Sequence, residues 1–314
     1  MNFYFIGVST KNSAIRQIMP LWAQALKVDL NLVGIDLPID ATTAQYRNAI
    51  LCIKEDPEAV GSVVTTHKLN VFEHAHDLFD EFDALSSITK EVCMIKKHGT
   101  RLIGMAAPDR LSNTLCLKKM LGSDHWRVHK AVALCFGAGG VARAIALSVL
   151  CDFEASSPLA RRLPNKPQQL VMVDIDDNKL RSMQALLEPL SKGVAINYIC
   201  QSDATANDQL VNNLPNHSLV INATGMGKDR PGSPITDRAR FPHEGIAWEL
   251  NYRGERQFLQ QAMAQVSTQQ LQIHDGWQCF LNGWGQAVQI GIGRKLSSRE
   301  VFQLEKIAEP FRMT

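Results

Sequence analysis

The sequence predicts an α/β protein of two domains. Three observations carry this. The chain has 314 residues, and a domain takes roughly 100–200. Short apolar runs alternate with segments of helical spacing, the pattern of a parallel sheet covered by helices. One apolar run, residues 132–136, ends in Gly137-Ala138-Gly139-Gly140 and opens directly into another helical segment.

The elements follow in order. Residues 3–8 read as a buried strand, and Ser9-Thr10-Lys11-Asn12 as the loop after it. Over 13–27, Ile15, Ile18, Met19, Trp22 and Leu26 recur at three- and four-residue spacing, which predicts a helix. A second strand is expected at 30–37, closed by Pro38, then a helix over 41–53 and a third strand at 59–64 that runs into Thr65-Thr66-His67-Lys68. Two short β-like pieces, 92–96 and 101–103, flank His98-Gly99 and read as a hairpin or strand pair closing the first domain. Residues 105–125 cross to the second domain. It opens with a strand at 131–136 and a helix over 139–150. A loop over 152–168 carries three prolines. A strand at 170–173, a helix over 178–190, a strand at 219–222 and a last strand near 246–251 complete a doubly wound order.

Composition narrows the function classes. Hydrophobic residues make up 45% and charged residues 20%, which excludes a disordered chain. A formal net charge of +2 is too small to draw nucleic acid or a membrane by field alone. Seven cysteines without a CxxC spacing read as buried thiols in a reducing compartment. Without an HExxH or Cys/His cluster, no metal is expected. The start, Met-Asn-Phe-Tyr-Phe-Ile-Gly, lacks a basic leading region, and no apolar run approaches the ~18 residues of a membrane span. The expected location is cytoplasmic and the expected partner a small-molecule substrate, not nucleic acid or membrane. A homodimer is compatible with the sequence.

The segment Gly137-Ala138-Gly139-Gly140-Val141-Ala142 fits GxGxxA. The first glycine permits a tight turn, the second lets backbone approach a pyrophosphate, and a small third residue lets the helix pack close to the sheet. Amides at the helix start then hold negative charge. The predicted ligand is therefore a dinucleotide. Asp174 stands at the end of the next strand, with Asp176 two residues on. A carboxylate there accepts the ribose hydroxyls and repels a 2′-phosphate, and no basic residue appears until Lys179. NAD is expected ahead of NADP. The competing use of Asp174 or Asp176 is to cap the following helix.

Four segments together resemble the shikimate/quinate dehydrogenase family. They are Val64-Thr65-Thr66-His67-Lys68, Gly137-Ala138-Gly139-Gly140-Val141-Ala142-Arg143-Ala144, Ile221-Asn222-Ala223-Thr224-Gly225-Met226-Gly227 and Asp275-Gly276. They are similar, in order and approximate spacing, to that family's NVTxPHK, GAGGxxxA, NATxxGM and late DG. The resemblance implies a substrate-binding domain at 1–112 joined by C-terminal helices at 275–314, a Rossmann domain at 113–274, and a cleft between them. It implies a catalytic Lys68, substrate contacts from Ser13, Thr65 and Thr66, and cofactor contacts from Ala223, Thr224, Gly225, Met226 and Gly276 beside the glycine loop. The family's catalytic Asp lies in GxNTD, which here resembles Gly104-Met105-Ala106-Ala107-Pro108-Asp109. Pro108 holds the strict position, and Asp109 supplies the carboxylate only if the loop shifts.

Other departures concern the substrate. The family's SxSP reads Ser13-Ala14-Ile15-Arg16, with Arg16 or Lys11 as charged replacements. Its AVNT resembles Glu91-Val92-Cys93-Met94, and its late Gln aligns with Gly283. Trp277, Phe280 and Trp284 crowd that region, more as a helix face packing on a core than as a substrate cage, with Trp277 placed nearest the nicotinamide. A site that has lost hydrogen-bonding groups rejects the ligand they served, so shikimate is expected to be a poor substrate.

Alcohol oxidation needs a hydride acceptor, which NAD supplies, and a group for the hydroxyl proton. Lys68 follows an apolar strand at the end where α/β sheets place ligands. Burial there is expected to lower its pKa toward neutrality. His67 is read as orienting the loop. The function expected is an NAD-dependent oxidoreductase of a hydroxylated small acid or polyol. The alternative is a non-catalytic dinucleotide-binding sensor or regulator.

Overall fold

The structure, a computed structural model, describes residues 1–151, 165–191, 193–228 and 230–312. The chain divides into two compact units, Met1–Asp109 with Leu281–Thr314, and Arg110–Phe280. The expected breaks at 112/113 and 274/275 fall inside a helix and directly after a short strand.

The first unit contains β1 (Asn2–Gly7), α1 (Ile15–Leu26), β2 (Asn31–Asp36), α2 (Thr43–Glu55), β3 (Ala59–Val64), α3 (Lys68–Ala75), β4 (Glu81–Phe82), α4 (Ala84–Thr89), β5 (Met94–His98) and β6 (Arg101–Met105). The sheet order is β2-β1-β3-β5-β6-β4. β1 pairs in parallel with β2 and β3, so all three end on the same side. β5 runs antiparallel to both β3 and β6. The sheet is therefore mixed rather than parallel throughout: the hairpin around Gly99 (φ 61°) reverses the chain without a crossover helix. Tyr4, Ile6, Tyr46, Ile50, Ile53, Val64 and Val71 form the core beneath it. α2 starts at a reciprocal cap between Thr42 and Gln45, which satisfies two helix-start amides. α1 tolerates Pro20 inside it and buries Trp22, whose indole N–H donates to the Leu304 carbonyl at 2.8 Å.

α5 (Ala107–Leu121) leads out of the first unit. The second contains α6 (His125–His129), β7 (Val132–Phe136), α7 (Gly140–Leu150), β8 (Gln169–Asp174), α8 (Asp177–Leu187), β9 (Ala195–Cys200), α9 (Ala204–Asn212), β10 (Leu219–Asn222), β11 (Ile246–Glu249), α10 (Gln257–Met263), α11 (Val266–Gln269) and β12 (Gln272–His274). α12 (Trp277–Ile292) then leads back to the first unit, which ends with α13 (Ser298–Ala308). The order β12-β11-β10-β7-β8-β9 is parallel at every pairing. It is the doubly wound dinucleotide order, whose switch point lies between its first and fourth strands, β7 and β10. All five residues of β7 are buried, as a central parallel strand covered on both faces requires.

Several expectations need correction. β11 is not the last strand, because the three-residue β12 follows, too short to stand out as a pattern. The exposed–intermediate alternation of β9 kept it out of the apolar runs. The helix expected over 178–190 ends at Leu187 and tightens into a single 3-10 turn at Glu188–Leu190 with Pro189 inside it. The loop over Thr10–Asn12 is likewise one 3-10 turn. Most of the Pro-rich stretch at 152–168 lies outside the described residues. Cys93, Cys116 and Cys135 are buried as expected, but Cys52 and Cys200 are exposed. Among the described residues no helix is long and apolar enough to cross a membrane, and no group of His, Cys, Asp and Glu has the arrangement of a metal site.

Candidate functional site

In the first unit, Thr65, Thr66 and Lys68 follow the end of β3, and Ser13 follows the 3-10 turn after β1, the strand parallel to it. Lys68 opens α3, and its side chain is buried. Its Nζ donates to Asp109 Oδ2 at 2.5 Å. Asp109 lies in the first turn of α5, where an acid suits the helix dipole. α5 starts at Ala107, and its first turn sets the Asp109 carboxylate against Lys68.

The electrostatics of Lys68 differ from the expectation. Burial is the largest single influence and pushes its pKa down, but the opposing influences, the charge of Asp109 first among them, together outweigh it and hold the ammonium above the ordinary lysine value. Sequence reasoning weighs burial and not the carboxylate that comes with it. Lys68 therefore rests as an ammonium facing a carboxylate. Beside it, burial raises the Cys93 thiol well above the usual range, so it sits as a neutral wall.

His67 does not point at Lys68's partners. Its Nε2 lies 3.0 Å from the Leu37 carbonyl, which can only accept, so Nε2 carries the proton. Nδ1 then accepts from the Tyr46 hydroxyl at 2.9 Å, and that hydroxyl accepts from Asn70 Nδ2 at 2.9 Å. Burial holds the imidazole below its ordinary pKa, in its neutral form. His67 pins the turn that leads into Lys68. Thr65 is also committed: both its amide and its hydroxyl donate to the Ile6 carbonyl. Thr66 is exposed and Ser13 buried. The Arg16 guanidinium donates to the Leu32 carbonyl at 2.7 Å.

In the second unit, Gly137 has φ 110°, and a Cβ there would lie 2.7 Å from the Ala223 carbonyl oxygen. The glycine lets the turn after β7 rest against the loop after β10, at the switch point of the sheet. Gly139 differs. Its backbone is extended, it caps α7, and a Cβ on it would meet nothing within 4 Å among the described residues beyond its chain neighbours. It leaves the start of α7 open, followed by Gly140 and Val141, as a pyrophosphate seated on helix amides requires. Ala138 and Ala142 are fully buried and let the helix close on the sheet. Asp174 accepts the Ala138 amide at 2.6 Å and the Asp176 amide at 3.0 Å. Asp176 caps α8, accepting from Asn178 and Lys179. Asp174 thus does not cap that helix, whereas Asp176 does. The loop Ala223–Thr224–Gly225–Met226 follows β10, with Gly225 at φ 78°. Gly276 is required by packing, since a Cβ there would collide with the Leu250 carbonyl.

No family model matches the chain, and no curated protein matches it. Solved structures do, over nearly the whole length of both chains. Shikimate 5-dehydrogenase from Thermus thermophilus, in complex with NADP(H) and shikimate, is 18% identical with a TM-score of 0.66, covering 99% of each chain. Quinate dehydrogenase from Corynebacterium glutamicum in complex with NAD is 16% identical with a TM-score of 0.69, covering 99% of this chain and 98% of that one. 5-Ketofructose reductase of Gluconobacter sp. strain CHM43 is 20% identical with a TM-score of 0.67, covering 98% of each. The fold is that of the shikimate and quinate dehydrogenases.

Within the shikimate dehydrogenase fold, the sequence departures occupy defined places. Ile15, Cys93 and Ala106 are buried and offer no hydroxyl or amide; Gly283 lies within α12. The aromatic residues divide. Trp284 packs edge-on against Phe5 at 5.0 Å, a core contact as expected for a helix face. Trp277 and Phe280 stack at 5.1 Å with Tyr252 against Phe280 at 4.3 Å. Tyr252 is not singled out by sequence, because it lies in the loop after β11 with no motif around it. Glu249, a fully buried carboxylate at the end of β11, also escapes sequence reasoning. It does leave a signal: a glutamate closing an otherwise apolar strand.

Proposed function

We propose that this protein is an NAD-dependent oxidoreductase that moves a hydride between a nicotinamide dinucleotide and the CH–OH carbon of a small hydroxylated acid or polyol. The observation that carries the reading is the ion pair of Lys68 and Asp109, 2.5 Å apart, at the strand ends of one unit, in a chain whose other unit opens a glycine loop at its switch point. The glycine loop fits the cofactor: the open space at Gly139 suits a pyrophosphate, and the Asp174 carboxylate suits an unphosphorylated ribose. Gly137, Ala138, Gly139, Gly140 and Val141 would hold the phosphates, and Ala223, Thr224, Gly225 and Met226 would line the second loop. Bound there, the dinucleotide supplies hydride transfer.

The chain supplies proton handling. Lys68 donates to the substrate oxygen while Asp109 fixes its direction. In oxidation, Lys68 passes a proton to Asp109 Oδ2 as it takes one from the hydroxyl; in reduction the ammonium delivers its proton to the forming alkoxide. Ser13, Thr65 and Thr66 are proposed substrate contacts, Thr65 only as an acceptor because its hydroxyl proton goes to the Ile6 carbonyl. The retained pair favours an enzyme over a dinucleotide sensor, which has no use for a proton carrier beside a carboxylate. The test is NAD and NADP reduction across a panel of cyclic and linear hydroxy acids and polyols, with Lys68→Ala as control. Turnover by wild type and not by the variant supports the reading; dinucleotide binding without turnover of any member returns the sensor.

A further inference from the structure

β11 ends on a charged side chain with no exposure. Glu249 stands beside Asn222, its register partner at the end of β10, and both are 0% exposed. Glu249 Oε2 accepts from Asn222 Nδ2 at 2.8 Å, and Oε1 accepts the Asn251 amide at 2.9 Å. The two asparagines act on the loop that follows β10. Asn222 Oδ1 accepts the Thr224 amide at 3.2 Å and its hydroxyl at 2.7 Å. Thr224 Oγ1 accepts the Met226 amide at 3.0 Å, and the Met226 carbonyl accepts Asn251 Nδ2 at 2.9 Å and Asn222 Nδ2 at 3.4 Å.

A buried carboxylate is costly where an apolar residue would fill the same space. Its two acceptor oxygens have a specific use here. An asparagine amide can be turned over with little change in shape. A carboxylate facing Asn222 admits only the N–H side, which forces Oδ1 toward Thr224. The Thr224 and Met226 backbone then has one arrangement rather than two.

We propose that Glu249 is the positioning residue of the loop at 223–226, setting through Asn222 and Asn251 the backbone that a dinucleotide meets there. The proposal rests on the dinucleotide reading above. It carries a pH signature. Burial raises the Glu249 carboxyl to about 7, against the bonds from Asn251 and Asn222 and the attraction of Arg256, which lower it. The charged group that acts on it, Arg256, precedes α10 and lies 3.9 Å from Asp275; His274 on the adjacent strand β12 is kept below its ordinary pKa by burial. Only the ionised carboxylate offers both oxygens as acceptors.

The test is calorimetric titration of the full chain with NAD and NADP between pH 6 and 8. Wild type should bind roughly tenfold more tightly at pH 8 than at pH 6, the change in ionised fraction across a midpoint near 7. Glu249→Gln, whose amide has one acceptor in place of two, should bind more weakly at pH 8 and show no pH dependence. Asn222→Ala removes a donor to the carboxylate, so it should weaken binding and move the midpoint upward; it serves also if Glu249→Gln fails to fold. A flat wild-type profile, or a Glu249→Gln profile that keeps the wild-type midpoint, overturns the role of Glu249 while leaving the dinucleotide site standing. Absence of NAD and NADP binding at every pH overturns both.

Discussion

The Asp174 carboxylate accepts the Ala138 amide at 2.6 Å, so the acid at the end of β8 is fastened to the glycine loop itself. Its second oxygen takes the Asp176 amide. The negative charge is therefore fixed where the doubly wound fold places an adenosine ribose. The basic side chains of α8 are already engaged: Lys179 lies 3.9 Å from Asp176, and Arg181 pairs with Asp177 at 2.6 Å. NAD should bind at least about tenfold more tightly than NADP, a difference of roughly 1.4 kcal/mol. Asp174→Asn should narrow that ratio. Equal or tighter NADP binding by wild type in a direct titration would remove the argument.

The two glycines of the loop should respond differently to a side chain. Gly139→Val should leave the chain folded, because among the described residues beyond its chain neighbours nothing lies within 4 Å of the new Cβ, and should abolish dinucleotide binding. Gly137→Ala should instead destabilise the fold, by about 1–3 kcal/mol, since its φ of 110° and the Ala223 carbonyl both oppose a Cβ. Thermal melts and NAD titrations of the two variants separate these outcomes. An unfolded Gly139→Val, or one with wild-type affinity, contradicts the assignment of that space to a ligand.

Much of this was legible in the sequence because it depends on local pattern. The apolar runs 59–64, 132–136 and 219–222 are strands because both their faces are covered, and the glycine loop is readable because each glycine answers a separate steric demand. What sequence could not supply is proximity across long separations. Asp109 reaches Lys68 from 41 residues away, and whether its one-residue offset mattered depended on where α5 begins. The sign of the Lys68 shift followed from that same contact. Glu249 and Asn222 are 27 residues apart and meet only through the parallel register of β10 and β11.

Shikimate should be a poor substrate. Ile15, Cys93 and Ala106 stand where the resembled family's motifs carry polar side chains, and they are buried and offer no hydroxyl or amide. A kcat/KM for shikimate above about 10⁴ M⁻¹s⁻¹, within the range of efficient enzymes, would contradict this.

Stability should fall as pH rises from about 4.5 to about 7. The folded Glu249 carboxyl, raised to about 7 from an ordinary 4.5 by burial, keeps a proton that the unfolded chain releases. The folded state binds more protons in that window, so stability is full below the unfolded value and is lost as pH climbs through the folded one. The loss from this group is on the order of 3 kcal/mol. Chemical denaturation of wild type and Glu249→Gln at a series of pH values measures it: the difference between the two proteins should change across the window and be constant above it. A difference independent of pH would show that Glu249 is ionised throughout.

The Lys68–Asp109 pair makes the sharpest prediction for chemistry. Lys68→Ala should reduce kcat by about 10²–10⁴-fold, the range for losing a positioned acid–base group, with dinucleotide affinity nearly unchanged. A modest rise in KM would fit a lysine that handles the proton; a large one would mean that it mainly clamps the substrate. Asp109→Asn should also impair kcat, since the carboxylate is both the partner of the ammonium and the acceptor for its proton. Its pH profile carries further information. Asp109 is the strongest attraction holding Lys68 above the ordinary lysine value, while burial pulls the other way. Removing that charge leaves burial dominant, so the Lys68 pKa should fall, and any limb of the rate profile that reports Lys68 should move to lower pH. Wild-type kcat in Asp109→Asn, with an unmoved profile, would show that the ion pair is structural and that proton transfer proceeds elsewhere.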